Sequence, residues 1–193
     1  KRTLHAIRQR YFWPGMAKDI AHWLRSCHVC QARKTPRPCH HGIPGVVSTA
    51  PHPWHTLGID LVEACATTQE GFKYILTCYD LHSRWIIAVP IRNKQASTVG
   101  QAIWGEIFCR FGPPGTILSD EGREFVNEGL AYVAERWGVA RRTTGGYQPQ
   151  ALPTERWHRW LNAQMTILSS TFGQGWDAYL PAVVFCYNTS IHA

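Results

Sequence analysis

The spacing of hydrophobic positions changes several times along the chain, and each change marks an element. In Lys1 to Arg10, Leu4 and Ile7 share one side of a helical tail, which Trp13-Pro14-Gly15-Met16 breaks. Ala17 to Ser26 resumes helical spacing with Ile20, Trp23 and Leu24, and Cys27-His28-Val29-Cys30 closes this first unit. Residues 35–53 lose periodicity and are rich in Pro and Gly, which predicts a linker. Three β-rich runs follow, His55 to Val62, Phe72 to Tyr79 and Trp85 to Pro90, separated by short turn-forming stretches that predict an antiparallel meander. Gln95 to Phe111 is amphipathic and helical up to Gly112-Pro113-Pro114. Thr116 to Leu118 reads as a short buried strand, Phe125 to Trp137 as a helix, Val139 to Thr143 as a strand, and Gly145-Gly146 as a flexible loop. Thr154 to Ser170 and Trp176 to Tyr187 are helical. The order β-β-β-α-β-α-β-α-α predicts an α/β fold, a mixed sheet with helices on both faces, preceded by a small helical region.

Composition adds a size and a partner. A chain of 193 residues, 45% apolar, fits one full domain with an appendage. Nine Trp, seven Tyr and seven Phe require burial and exclude a disordered chain. No apolar run reaches the ~18 residues that a membrane span needs, so no membrane partner is expected. The net charge of +7 is concentrated at one end. Residues 1–50 hold nine Lys/Arg and one acid, Asp19, whereas residues 51–193 hold eleven Lys/Arg and twelve acids. A basic appendage on a near-neutral body points to a polyanion, nucleic acid above all. The seven Cys are odd in number and scattered, which argues against a disulfide framework and for a reducing compartment. Only Cys27 and Cys30 have metal-type spacing.

Three carboxylates stand out by position. Asp60 interrupts the apolar strand Leu57-Gly58-Ile59-Asp60-Leu61-Val62, where an unpaired charge is costly. Asp120 ends a strand of the alternating part, where sheet folds collect functional groups. Glu155 opens a helix after a loop rich in Gly and Pro. Taken singly, each has an ordinary structural explanation: a satisfied core acid, a turn former, a first-turn helix acid. Taken together, acids from a mid-strand, a strand end and a helix start suit one or two hard cations such as Mg²⁺, which take oxygen ligands and phosphate oxygens.

The stretch Arg8-Gln9-Arg10-Tyr11-Phe12-Trp13-Pro14-Gly15-Met16 through Cys27-His28-Val29-Cys30-Gln31 resembles the zinc-binding region of retroviral and Gypsy-type LTR retrotransposon integrases. The resemblance continues in family order through Pro53-Trp54, Gly58-Ile59-Asp60, Tyr79-Asp80-Leu81-His82-Ser83-Arg84-Trp85 and Phe111-Gly112-Pro113-Pro114. It extends through Ser119-Asp120-Glu121-Gly122, Tyr147-Gln148-Pro149-Gln150, Thr154-Glu155-Arg156 and Tyr187-Asn188-Thr189-Ser190. It implies a truncated zinc-binding region of the H2C2 type at 1–34, a linker at 35–53 and a catalytic core of ribonuclease H-like fold at 54–193.

The activity implied is that of a polynucleotidyl transferase that trims the 3′ ends of element DNA and joins them to target DNA. By motif match, Asp60, Asp120 and Glu155 are the catalytic residues and the ligands of Mg²⁺ or Mn²⁺. The resemblance also makes Cys27 and Cys30 half of a zinc site whose two His are expected upstream of Lys1 in the full-length protein. Contacts to double-stranded DNA are implied for Tyr147, Gln148 and Gln150, and Arg156 and Arg159 follow on the helix of the catalytic Glu as further candidates. The implied protein works as a homo-oligomer, in the nucleus or in a viral or retroelement particle. Two features depart from the family pattern. The loop Gln150-Ala151-Leu152-Pro153-Thr154 lacks the usual small polar pair, and His158 stands where the family carries Asn. They leave an alternative, a domesticated or decayed integrase-fold module that binds nucleic acid without catalysis.

Overall fold

The computed structural model describes residues 2–28, 31, 50–64, 66–120, 131–132, 134–144, 154–172 and 175–190. The chain divides into two compact units, Lys1–Ile43 with Thr189–Ala193, and Pro44–Asn188.

In the smaller unit, α1 (Arg2–Arg8) and α2 (Met16–Ser26) flank the Trp-Pro-Gly break. Gly15 has φ 83°, a left-handed conformation that glycine adopts without a Cβ penalty, and it starts α2. Asp19, one turn into α2, accepts the Trp13 indole N–H at 2.7 Å and ties the break to the helix. Met16 and Ile20 are the buried residues of α2, whereas Trp23 is 65% exposed. The expected apolar stripe is therefore displaced one turn toward the N-terminus.

The larger unit is a five-stranded mixed sheet. Its strands are β1 (Thr56–Glu63), β2 (Tyr74–Asp80), β3 (Ile86–Ile91), β4 (Thr116–Asp120) and β5 (Ala140–Thr144), in the order β3-β2-β1-β4-β5. β1, β2 and β3 form the expected antiparallel meander, and β4 and β5 add in parallel to β1. α3 (Ala96–Ile103) follows β3 and continues through a π-helical turn, Trp104–Phe108, into a last turn, Cys109–Phe111. The wider turn buries Ile107 and Phe108 together below Ile103 and leaves Trp104 outside. Residues 131–132 and 134–137 are helical, and the start of the expected helix from Phe125 lies outside the described residues. α4 (Thr154–Phe172) and α5 (Trp176–Asn188) pack on each other, and α5 packs on β3.

Side-chain alternation divides the interior into two cores, one on each face of the sheet. Leu57, Ile59 and Leu61 of β1, with Leu76, Cys78 and Ile117, meet Val99, Ile103, Ile107 and Phe108. On the opposite face Ile75, Tyr79 and Ile86 meet Trp157, Leu161 and Met165 of α4 and Trp176, Leu180, Val183 and Tyr187 of α5. The α4 and α5 residues recur three or four positions apart, which is one helical stripe each.

Two polar anchors fix this frame. Asp80 is fully buried at the end of β2. Its Oδ1 accepts the amides of Trp54 (3.1 Å) and His82 (3.3 Å), and its Oδ2 accepts the amide (3.0 Å) and hydroxyl of Ser83. Four donors compensate the desolvated charge and shape the β2–β3 turn. At the other end of that turn, the Asn188 side chain accepts the Ile86 amide (2.9 Å) and donates to the Ile86 carbonyl (2.8 Å). α5 thereby covers part of the exposed edge of β3.

Candidate functional site

Asp60 sits in the middle of β1, opposite Thr77 of β2, on the face covered by α4. It is there because β1 alternates. With Leu57, Ile59 and Leu61 committed to the α3 core, position 60 must face the other way. Its carboxylate is only 17% exposed. Oδ1 accepts the amide of Leu61 at 2.7 Å, and Oδ2 lies 3.5 Å from Nδ1 of His158, which α4 presents to the strand. Thr77 is buried between them. Its hydroxyl donates to the Asp60 carbonyl at 3.0 Å and lies 3.2 Å from Nε2 of His158.

The other two expected acids border this point by backbone position. Ser119 of β4 is the register partner of Ile59, so Asp120 and Asp60 follow in adjacent positions on neighbouring parallel strands. Asp120 closes β4, and Glu155 is the second residue of α4, one helical turn before His158. The side chains of Asp120, Glu155, Arg156 and Arg159 lie outside the described part of the structure, as do residues Tyr147, Gln148 and Gln150. The structure therefore brings β1, β4 and the start of α4 to one place on the sheet and describes Asp60 and His158 there atom by atom. Among the described residues no three His, Cys, Asp or Glu side chains gather as a metal cluster.

In the smaller unit, Cys27 follows α2 directly and is partly buried, and Cys30 lies outside the described residues. On the other face of the sheet, burial pushes the Cys78 thiol far above its ordinary range, so this cysteine is a packing group. The contact of His158 and Thr77 with Asp60 was not expected from sequence. The signal available was spacing, since His158 stands three residues after Glu155 and so near it on the helix surface.

The integrase core domain family matches residues 50–149, and the integrase zinc binding domain family matches residues 1–36. The chain belongs to the integrase family. Its relatives include the retrovirus-related Pol polyprotein from transposon 412 of Drosophila melanogaster, 29% identical over 98% of this chain and 15% of the relative. Gypsy retrotransposon integrase-like protein 1 of Homo sapiens is 26% identical over 98% of this chain and 36% of the relative. The chain thus spans between about a seventh and just over a third of these relatives.

Solved structures agree on the fold. The catalytic core domain of BIV integrase superposes with a TM-score of 0.58 at 20% identity, covering 72% of this chain and 87% of that one. The simian T-cell lymphotropic virus intasome in complex with PP2A regulatory subunit B56 gamma gives 0.63 at 16% identity, covering 94% of this chain and 63% of that one. The mixed sheet is thus the ribonuclease H-like fold of the integrase core, as the sequence resemblance implied. Among the described residues no helix is long and apolar enough to cross a membrane.

Proposed function

We propose that this integrase chain is the polynucleotidyl transferase part of a retroelement protein, cleaving the 3′ ends of element DNA and joining them to target DNA. The observation that carries the reading is the placement of Asp60. An acid in mid-strand, on the face opposite the apolar core, stands beside the strand that ends in Asp120 and beneath the helix that begins at Thr154-Glu155. Asp60, Asp120 and Glu155 hold Mg²⁺ or Mn²⁺. The donor chemistry fits such an ion, because hard divalent cations take carboxylate oxygens and the Asp60 carboxylate is largely withdrawn from water, with the Leu61 amide on Oδ1 and the His158 imidazole 3.5 Å from Oδ2. A divalent cation there would stabilise the charge that develops on a phosphodiester during attack by water or by a DNA 3′-hydroxyl. The residues themselves form no covalent link to DNA; they place the reacting phosphate.

Double-stranded DNA is the partner, held by Tyr147, Gln148, Gln150, Arg156 and Arg159 near the site and by the basic first fifty residues through phosphate contacts. Cys27 and Cys30 supply the thiolates of a zinc site completed by two His elsewhere in the full-length protein. The protein acts as a homo-oligomer in the nucleus or in a viral or retroelement particle. The test is a disintegration assay on a branched DNA with Mg²⁺ or Mn²⁺, comparing the chain with Glu155→Gln. Resolution of the branch by the parent chain, reduced about a hundredfold or more in the variant, is expected. Equal activity in both would contradict the metal site. DNA binding without any reaction would instead make the chain a domesticated binding module.

A further inference from the structure

At the end of the sheet toward which β1 carries Asp60, two cations are seated on aromatic rings. β1 ends at Glu63, which pairs with Tyr74 at the start of β2, and Tyr74 pairs in turn with Ile91 at the end of β3. β4 runs parallel to β1 with Ser119 beside Ile59, so Asp120 closes β4 toward this same end. Arg92 and Lys94 follow Ile91 within three residues. The Arg92 guanidinium lies over the Phe72 ring, 5.3 Å from its centre, and its Nε donates to the Glu70 carbonyl at 3.1 Å. The Lys94 ammonium lies over the Tyr74 ring at 4.6 Å. The chain around both is fixed in turn. Thr68 donates its amide to the Phe72 carbonyl (3.0 Å) and accepts the Phe72 amide on its hydroxyl (3.1 Å). The Asn93 side chain accepts the amide of Gln95 (3.0 Å) and the hydroxyl of Thr98 (2.8 Å).

Charge separates these two from their neighbour. Lys73 also lies near the Tyr74 ring, at 5.6 Å, but its ammonium is 3.4 Å from the Glu63 carboxylate, which matches its charge. Among the described residues no carboxylate lies within ion-pair reach of Arg92 or Lys94, and Glu70 meets Arg92 through its main chain. Side chains held over rings have less freedom to lose when they meet an anion than freely turning ones do. Ile91 stands three residues along and two strands across from Asp60, roughly 10 Å each way, so the cations begin about 15 Å from its carboxylate. That span is about four base pairs at 3.4 Å per step. From the two unmatched cations on Phe72 and Tyr74 at the Asp120 end of the sheet, we infer that Arg92 and Lys94 are a phosphate clamp for duplex DNA, gripping its backbone about four base pairs from the phosphate at Asp60. The inference rests on the proposal that the Asp60 site acts on DNA. It adds a second grip, on β3 and its exit, to the contacts proposed for residues 147–150 and α4. Two grips on one backbone set the direction in which the duplex crosses the site.

The test is binding of the full chain to a labelled branched DNA, followed by fluorescence anisotropy between about 50 and 300 mM KCl. Neutralising both cations, as Arg92→Ala with Lys94→Ala, should lower the slope of log affinity against log salt by about two and weaken binding about tenfold or more. Arg92→Gln with Lys94→Gln should do the same while keeping side-chain stems over the rings, and thermal melting checks that both double variants fold. Arg92→Lys keeps the charge and should keep the slope. Arg110→Ala is the control, because Arg110 sits at the far end of α3 in an ion pair with Glu106 (2.7 Å) and should leave the slope unchanged. Methylphosphonate linkages four and five base pairs from the branch in each arm should remove the difference between the parent chain and the double variants. An unchanged slope in both double variants, an equal fall in Arg110→Ala, or a difference that survives the neutral linkages overturns the clamp and leaves the carboxylate site standing. Resolution of the branch in Mg²⁺ or Mn²⁺ reports on that site separately. Failure of the parent chain to bind the DNA overturns both.

Discussion

Along β1, Leu57, Ile59 and Leu61 turn toward α3, while Asp60 and Val62 turn toward α4 and α5. The first face is apolar except for buried Ser119 of β4 and packs around a buried cysteine. The second is apolar at its outer part, through Tyr79, Ile86, Trp157 and Tyr187, but carries Asp60, Thr77 and His158 where α4 meets β1. One strand thus serves as core on one side and as site on the other, and the period of two makes the separation sharp. A side chain moved by one position along β1 would exchange its role. A polar cluster can sit in a sheet this small because the opposite face supplies the stability.

That division is open to direct attack. Ile59→Ala, which opens a cavity in the α3 core, should destabilise the chain by about 2–5 kcal/mol in chemical denaturation. Val62→Ala on the other face, at a half-buried position, should cost only about 1–2 kcal/mol. Equal costs would erase the difference between the faces. Asn188→Ala removes both hydrogen bonds that hold α5 to the edge of β3 and should cost about 1–3 kcal/mol in the same experiment, with no change in Mn²⁺ binding.

The smallest effect concerns Cys78, whose thiol burial keeps protonated well into the alkaline range. The unfolded chain ionises this thiol at its ordinary value and so binds fewer protons than the folded one above about pH 9. Stability should fall there by about 1.4 kcal/mol per pH unit from this group alone, and Cys78→Ala should flatten the slope by that amount. An unchanged slope in denaturant titrations between pH 9 and 10.5 would remove Cys78 from the protected core.

Much of this arrangement is legible before any coordinates. The period of two in Leu57-Gly58-Ile59-Asp60-Leu61 places Asp60 opposite the core residues, and turn residues mark the meander to within one or two positions. Strand ends and helix starts locate Asp120 and Glu155 on the backbone. What local pattern does not carry is contact between distant segments. His158 meets Asp60 across 98 positions only because α4 lies on β1, and Asn188 meets Ile86 only because α5 returns to the sheet edge. The π-helical turn at Trp104–Phe108, which contains Gly105, lets both Ile107 and Phe108 reach the core, and that packing is likewise set by tertiary contact. In the smaller unit, spacing put Ile20, Trp23 and Leu24 on one side of α2, and the fold buries Ile20 together with Met16 while Trp23 stays exposed.

The measurement that bears most directly on the division between the faces places two neighbours of one strand side by side. Asp60→Asn and Ile59→Ala would each be assayed for joining of DNA ends and for thermal melting. Asp60→Asn should lose roughly a thousandfold in joining and melt within a few degrees of the parent chain, because it removes charge at the proposed metal site without opening a cavity. Ile59→Ala should melt well below the parent and, assayed below that transition, keep most of its joining activity. Joining that survives Asp60→Asn, or that is lost equally in both while both remain folded, would contradict the assignment of chemistry to the α4 face.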